Sequence, residues 1–205
     1  GVGHKPDLVW IKRRDASGHH HMWHDSSRPL FGYIRSSLTN AENTNTNYNW
    51  FKSFDVNGFT VSYGSDGGNT TEYTTSGGTY VAWNWKANGG TTSSNTDGSI
   101  TSTVQANTDA GFSIVTYTGS GANATVAHGL SSSLDVVLVK GRSGNPRFWT
   151  YWGTQFVNSS YIYLNTNDDT DTGGATITNN TYPTDSVFSI GTSTFVNGSS
   201  ETYVA

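Results

Sequence analysis

The feature that most constrains this chain is an internal duplication. The apolar run DLVWIK at residues 7–12 returns as DVVLVK at residues 135–140, and TYVA at residues 79–82 returns at residues 202–205. Further landmarks keep the same order at an offset of about 125 residues: Met22-Trp23 with Phe148-Trp149, Tyr33-Ile34 with Tyr161-Ile162, and Phe59-Thr60-Val61 with Phe188-Ser189-Ile190. One structural unit therefore occurs twice, and the fold must accommodate both copies.

The residue types of the repeated unit favour β-structure. Gly, Ser, Thr and Asn make up roughly half of the chain, and aromatic residues reach 13%. Aromatic residues and Thr suit strands, whereas Gly, Asn and Ser suit tight turns, so the composition predicts many short strands and excludes an α-helical protein. The runs at residues 7–12 and 135–140 are the most apolar and should lie at the centre of a sheet. The predicted fold is all-β, with two tandem β-sandwich modules of jelly-roll-like character.

A segment rich in Gly, Ser, Thr and Asn marks the expected boundary between the modules. We predict a first module at residues 1–88, a linker at residues 89–108 and a second module at residues 109–205. Within the linker, the alternating residues 99–106 predict a strand that docks on one module. Because the strand-like run at residues 111–118 has no counterpart in the first copy, we expect the first module to lack its opening strand. The second module ends within its last strand, which we expect to be truncated.

Charge and cysteine content exclude several classes of function. The chain has 11 Lys and Arg against 15 Asp and Glu, so it lacks the basic excess that binding to nucleic acid requires. The chain has no Cys, which removes disulfides, thiolate nucleophiles and Cys-ligated metals. No apolar run approaches the length of a membrane span, so we expect no membrane insertion. No motif indicates a cofactor or a set of catalytic residues.

Four histidines and an aspartate between residues 19 and 25 form the sharpest cluster of potential ligands. Alternate residues of a strand share a face, so His19 and His21 would point together, and His24 and Asp25 follow closely. One hypothesis is therefore a divalent metal site made of His19, His21, His24 and Asp25. The alternative is a polar loop, since the cluster follows Ala16-Ser17-Gly18 and the equivalent stretch of the second copy has no His.

The tryptophans indicate a second kind of site. Trp149 and Trp152 fall on opposite faces of one predicted strand, so one of them is expected to be exposed. Trp83 and Trp85 share a face that is either core or an exposed platform. Exposed aromatic rings bordered by Asn, Asp and Gln bind sugars by stacking on the pyranose face. Trp152, Trp149 and Trp85 are therefore the candidate glycan-binding residues, and packing in a core is the alternative for each.

Several strings together resemble a known kind of module. They are KPDLVWIK at residues 5–12, WHDS at 23–26, SFDVNGFT at 53–60, NTDGSITS at 95–102 and AGFSIVTYTG at 110–119. This set is similar to repeated modules in long virion proteins of marine tailed phages, and the resemblance covers nearly the whole chain. The chain departs from that pattern at Asn84, where a Cys often stands.

The resemblance implies a non-enzymatic structural protein of a phage particle surface, either a tail fibre or a head or capsid fibre, that contacts host surface glycans. It implies other virion proteins as partners, a homo-oligomer and a location on the virion surface. The alternative function is that of a carbohydrate-binding module of an extracellular protein. A polysaccharide depolymerase is a third class, which is disfavoured because no paired carboxylates can be nominated for glycoside hydrolysis.

Overall fold

The computed structural model describes residues 1–45, 50–62, 71–144, 146–156 and 160–205. These residues form fifteen strands and two four-residue helices, which confirms the all-β prediction. The strands of the first half are β1 Leu8–Arg13, β2 Met22–Asp25, β3 Ile34–Arg35, β4 Phe51–Asp55, β5 Gly58–Val61 and β6 Tyr80–Trp85. The elements that follow are β7 Ser93–Asn95, β8 Ser102–Asn107, β9 Phe112–Thr118, β10 Ala124–Ala127, β11 Val137–Gly141, β12 Trp149–Trp152, β13 Ile162–Tyr163, α1 Ala175–Thr178, β14 Val187–Ile190, α2 Thr194–Asn197 and β15 Thr202–Val204.

The first half is built on a four-stranded antiparallel sheet with the order β3-β2-β1-β6. Successive side chains of a strand alternate between faces, so Val9 and Ile11 of β1 point one way and Trp10 the other. Val9 and Ile11 are buried against the β4–β5 hairpin, whose Phe51 belongs to the same core cluster. Gly58 follows the hairpin turn with a φ of 146°, a conformation that favours glycine.

The second half contains a seven-stranded antiparallel sheet with the order β13-β12-β11-β15-β9-β8-β7. A second sheet, the antiparallel pair β10–β14, shares its core. Val139 and Trp152 contribute to this core from the larger sheet, and Val126 and Phe188 contribute from the smaller one. Two sheets that enclose one apolar core form a β-sandwich. Within the described residues, no helix has the length and apolarity needed to span a membrane.

The expected linker at residues 89–108 contributes β7 and β8 to the seven-stranded sheet. β8 pairs with β9 along its full length, so the strand indicated by the alternating residues is present. Gln105 on β8 is fully buried and bonds to the first half, because its Nε2 donates to the hydroxyls of Ser26 and Ser27 at 3.0 and 2.9 Å. Much of this segment is therefore integrated into the sheet. The division of the chain into two modules at residues 89–108 stays a prediction.

The duplication is visible in the pairing of the strands. The order β3-β2-β1-β6 returns as β13-β12-β11-β15, and both central strands, β1 and β11, carry the runs expected at the centre of a sheet. The register is also kept, since Lys12 pairs with Val81 in the first copy and Lys140 pairs with Val204 in the second. The repeat in sequence is therefore a repeat in topology and register.

One sequence correspondence between the copies is wrong by two residues. Met22 pairs with Ile11 on β1, and the residue that pairs with the equivalent Val139 on β11 is Thr150. The structural counterpart of Met22-Trp23 is therefore Thr150-Tyr151 and not Phe148-Trp149. The match was suggested by the Trp that both strings contain, Trp23 and Trp149. The register of each strand pair determines which residues are equivalent.

The two halves meet through an apolar cluster. Leu8 and Ile34 of the first half are buried in one cluster with Ile114, Trp149 and Val204 of the second. These residues lie on the sheet faces opposite the two separate cores. The strand pleat therefore allows each sheet to contact its own core on one side and the other half on the opposite side.

Polar contacts also join the two halves. The two carboxylate oxygens of Glu42 accept hydrogen bonds from Arg28 and from Arg142, each at 2.7 Å. Lys140 is fully buried, and its Nζ donates to the carbonyl oxygens of Thr39, at 3.1 Å, and of Arg147. Because burial of an unpaired charge is costly, these partners explain how charged groups are accommodated between the halves.

Candidate functional site

Four tryptophans lie on the face of the first sheet that points away from the β4–β5 hairpin. We call this set, Trp10, Trp23, Trp83 and Trp85, the tryptophan face. Trp10 occupies the central strand, and its cross-strand partners are Trp23 on β2 and Trp83 on β6. The centroid of the Trp10 ring lies 4.8 Å from that of Trp23 and 4.9 Å from that of Trp83. Directly opposed positions of neighbouring strands share a face, so the pairing produces a row of indoles across three strands.

The four tryptophans differ in their exposure to solvent. Trp83, on the edge strand, is 42% exposed, and Trp10, Trp23 and Trp85 are half-buried. Trp85 stacks on Trp10 with an interplanar angle of 19° and a centroid separation of 6.5 Å. An indole that is held by its neighbours and open on one side presents a rigid apolar surface with little conformational entropy to lose on binding.

His21 holds the central indole in place. The Nε1–H of Trp10 donates to Nδ1 of His21 at 2.9 Å. Because an indole nitrogen can only donate, Nδ1 of His21 must accept, which requires the neutral tautomer with its proton on Nε2. Burial, followed by the charge of Lys12, lowers the pKa of His21, in agreement with this assignment. His21 is therefore a positioning residue for Trp10.

Cationic side chains border the exposed end of the tryptophan face. Lys12, Arg13 and Arg14 line a shallow depression together with Trp83. Nε of Arg13 lies 2.9 Å from the carboxylate of Asp15, and this hydrogen bond holds the pKa of Asp15 well below its usual range. Three cations against one carboxylate make this border positive, and they supply hydrogen-bond donors beside the exposed ring.

The inner end of the tryptophan face opens into a cavity of about 520 Å³ between the two halves. Trp23 and Trp85 line it from the first half, and Trp149 and Phe112 line it from the second. The ring centroids of Trp23 and Trp149 are 4.8 Å apart, and those of Trp85 and Phe112 are 6.2 Å apart. The aromatic surface is therefore continuous from the solvent-exposed Trp83 to the boundary between the halves.

The structure separates the three predicted glycan-binding residues. Trp152 is 1% exposed in the core of the second half, and Trp149 is 3% exposed at the contact between the halves. The expectation that one of these two is exposed is wrong, because each face of β12 is covered, one by the core and the other by the first half. Trp149 Nε1–H also donates to the carbonyl of Arg35 at 2.9 Å. Of the three residues, Trp85 lies on the tryptophan face.

Sequence reasoning did not single out Trp10 or Trp23 as residues of a site. The signal that would have identified them is the pairing of β1 with β2 and β6, since the opposed positions Trp10, Trp23 and Trp83 are far apart in sequence. The Trp-x-Trp spacing of Trp83 and Trp85 did predict a shared face correctly.

The structure does not assemble the predicted metal site. His24 is fully buried, and its Nδ1 lies 3.0 Å from the carbonyl oxygen of Gly32 while its Nε2 lies 2.8 Å from the hydroxyl of Tyr73. The carbonyl can only accept, so Nδ1 donates to it and Nε2 accepts from Tyr73. Both ring nitrogens of His24 are occupied, and neither is available for a metal. Burial lowers the pKa of His24 to about 3.

The other predicted ligands have separate structural partners. Nε2 of His19 lies 3.3 Å from a guanidinium nitrogen of Arg13, His21 accepts from Trp10, and Asp25 forms a buried ion pair with Arg28. Within the described part of the chain, no group of three or more His, Asp or Glu side chains is arranged to hold a metal ion. The four residues are kept apart because His24 and Asp25 are buried while His19 lies at the rim.

Fold and site together define an all-β sandwich protein with a tryptophan face on its first half. A family model described as "Domain of unknown function (DUF7483)" matches residues 1–205, and the chain belongs to this family. Comparison with curated proteins found no match, and comparison with solved structures found none either.

Proposed function

We propose that this chain is a non-enzymatic structural protein of a phage particle surface, in a tail fibre or a head or capsid fibre, and that its tryptophan face contacts host surface glycans. The observation that carries the proposal is the row of indoles formed by Trp10, Trp23 and Trp83, with Trp83 42% exposed. The resemblance to virion modules supports the particle as its location and supports assembly with other virion proteins and with further copies of the chain.

The tryptophan face suits a sugar ligand. The apolar face of a pyranose stacks on an indole, and its hydroxyls require hydrogen-bond partners at the edge of the ring. Lys12 and Arg14 lie beside Trp83 and supply donors for those hydroxyls. Trp10 is fixed by its bond to His21, so the platform behind Trp83 is pre-organised.

The buried polar groups support a structural role. Asp7 is fully buried, and its carboxylate accepts hydrogen bonds from the hydroxyl of Ser26 at 2.7 Å and from the main-chain nitrogens of Ala87 and Gly89 at 2.8 and 2.9 Å. Each carboxylate oxygen is thus engaged in joining segments that are distant in sequence. Glu42 does the same between the two halves. These carboxylates stabilise the fold, which is the use expected in a surface module exposed to solvent and proteases.

The test is direct binding to purified polysaccharides. Capsules and lipopolysaccharides from marine bacteria are immobilised, and binding of the intact protein is compared with that of Trp83→Ala. We expect binding to a subset of polysaccharides, with about tenfold weaker affinity for the variant because one stacking surface is lost. Tyr182→Ala is the matched control, since Tyr182 is an exposed aromatic residue that lies outside the tryptophan face. Equal affinity of W83A and wild type, or binding to none of these polysaccharides, would overturn the glycan proposal.

A second candidate, a carbohydrate-binding module of an extracellular protein, is favoured by the same tryptophan face. The two functions differ in location and assembly. Immunogold labelling of particles from a phage that encodes the chain should mark the tail or head surface if the first proposal holds. Light scattering on the purified protein should show an oligomer, and a strict monomer with unlabelled particles would favour the second candidate.

A further inference from the structure

The two copies of the repeated sheet differ at one edge. β15 is hydrogen-bonded on one side to β11 and on the other to β9. β6, its counterpart, pairs with β1 on one side, and none of the other described strands pairs with its outer edge. The equivalent strands therefore differ in position: β15 is internal to its sheet, and β6 lies at the edge of its sheet.

The main-chain groups on the outer edge of β6 can be identified from the register. Arg14 N donates to the carbonyl of Thr79 at 2.9 Å, and in an antiparallel ladder alternate residues turn their main-chain groups to the same side. Val81 therefore faces β1 like Thr79, whereas Tyr80 and Ala82 present their N–H and C=O groups outward. In β15 the equivalent outward positions are Tyr203, which pairs with Tyr117, and Ala205.

The second copy shows what these groups bind. Ala205 N donates to Val115 O, and Val115 N donates to Ala205 O, both at 2.8 Å. In the first copy, the side chain of Asn84 donates to the carbonyl of Ala82 at 3.2 Å, on the side that β9 occupies in the second copy. β6 is also more exposed than β15. Tyr80 and Val81 of β6 are half-buried, whereas the equivalent Tyr203 and Val204 of β15 are 0% and 8% exposed.

β6 also lacks the features by which edge strands avoid pairing. Native edges are commonly protected by charged residues, by Pro or by bulges. The sequence of β6, YVAWNW, contains no charged residue and no Pro, and its register with β1 is regular over six residues. An edge of this kind is a template for an additional strand.

We propose that the outer edge of β6 accepts a β9-type strand from another module of this family. The incoming strand has the uncharged, alternating pattern of Phe112–Thr118 and pairs antiparallel with Tyr80 and Ala82, as β9 pairs with Tyr203 and Ala205. Tyr117 stacks on Tyr203 at 5.2 Å and 16°, and the equivalent tyrosine of the incoming strand stacks on Tyr80. Docking of this strand joins successive modules through a continuous sheet.

A peptide with the sequence of residues 110–119, extended by terminal lysines for solubility, tests the proposal on the intact protein. We expect saturable binding by fluorescence anisotropy and slower hydrogen exchange at the amides of Tyr80 and Ala82. The same peptide with Pro in place of Val115 is the matched control, because Val115 supplies both bonds to Ala205. Pro removes the donor, so the control peptide should bind at least about tenfold more weakly.

Ala82→Pro tests the acceptor edge. The Ala82 N–H points outward, so its loss leaves the pairing of β6 with β1 intact, and Pro is tolerated on edge strands. We expect A82P to keep its melting temperature within a few degrees and to lose peptide binding. The proposal is overturned if the wild-type peptide does not bind, if the control peptide binds equally well, or if exchange slows at other residues. Dimerisation of the protein through β6 without peptide binding would also overturn it.

Discussion

Glu42 and Arg142 form an ion pair of 2.7 Å between positions 100 residues apart in the chain. The other carboxylate oxygen of Glu42 lies 2.7 Å from Arg28, whose side chain is almost fully buried. One carboxylate therefore binds a cation of each half. Loss of one partner from a buried ion pair leaves an uncompensated charge, so the placement of the halves depends on Glu42 more than on either arginine alone.

Glu42→Gln should lower the free energy of unfolding by about 3 kcal/mol, because Arg142 loses its anion and the buried Arg28 keeps only Asp25. Arg142→Gln should cost only about 1 kcal/mol, since the Arg142 side chain is 20% exposed and Glu42 keeps its ion pair with Arg28. Urea unfolding at neutral pH measures both values. Equal effects of the two substitutions would show that the network does not depend on Glu42.

Trp152→Ala should destabilise the protein by about 3 to 5 kcal/mol, because Trp152 fills the core of the second half and its removal leaves a large cavity. Trp83→Ala should cost clearly less, about 1 to 2 kcal/mol, since Trp83 is 42% exposed and loses mainly its contact with Trp10. Thermal unfolding of both variants checks the contrast. A larger loss of stability for W83A than for W152A would contradict the assignment of one tryptophan to the core and the other to the surface.

The sequence could predict the strands because local rules suffice for them. The run at residues 7–12 has the apolar character of a central strand, and β1 does lie at the centre of its sheet. Tyr33-Ile34 and Tyr161-Ile162 were matched correctly, since Ile34 pairs with Trp23 and Ile162 with the equivalent Tyr151. Alternation and turn residues contain this information without reference to tertiary contacts.

The site could not be predicted in the same way, because it depends on which surfaces the two halves cover. Nothing in the sequence around Trp149 indicates that its ring is covered, yet Trp23 and Ile34 of the other half pack near it. His24 belongs to a run of histidines that resembles a ligand set, yet strand register turns it inward to Tyr73. Burial by a distant segment leaves no trace in the local sequence.

Acid should destabilise this protein partly through His24. The folded state keeps His24 neutral down to a pKa of about 3, whereas the unfolded chain protonates it near its ordinary pKa of 6.5. The unfolded state therefore binds more protons between these values, and this part of the stability is complete above pH 6.5 and is lost as the pH falls towards 3.

The variant His24→Asn keeps a donor for the carbonyl of Gly32 and removes the titrating ring. Wild type should lose up to about 1.4 kcal/mol per pH unit more than H24N as the pH falls through this range. Chemical denaturation at a series of pH values gives both slopes. Parallel curves for the two proteins would rule out His24 as a source of the acid sensitivity.

Gln105→Leu should lower stability by about 2 to 4 kcal/mol. The Gln105 carbonyl oxygen accepts from the main-chain nitrogens of Asn88 and Gly90 at 3.1 and 2.7 Å, and its amide donates to Ser26 and Ser27. Leu would leave several of these groups buried without a partner, which costs about 1 to 3 kcal/mol each before relaxation.

Thr103→Val is the control for this substitution, because Thr103 lies on the same strand with its side chain in solvent. The control should stay within about 0.5 kcal/mol of wild type. Hydrogen exchange should show that Q105L loosens residues 88–90 first. Uniform exchange throughout the chain would instead indicate that Gln105 stabilises the sheet as a whole and not this attachment.

The equivalent lysines of the two copies, Lys12 and Lys140, have different hydrogen-bond partners. Lys12 reaches the carbonyl of His19 at the rim of its own half, whereas Lys140, at the same place in the repeat, is buried against the carbonyls of Thr39 and Arg147. Burial lowers the pKa of Lys140 to about 8. The two copies are consequently not interchangeable. If their order along the chain were reversed, Lys140 would lose the Thr39 carbonyl that the first half supplies. The repeat therefore has a direction along the chain, in which the first copy supplies an acceptor, the Thr39 carbonyl, and the second copy supplies the donor, Lys140.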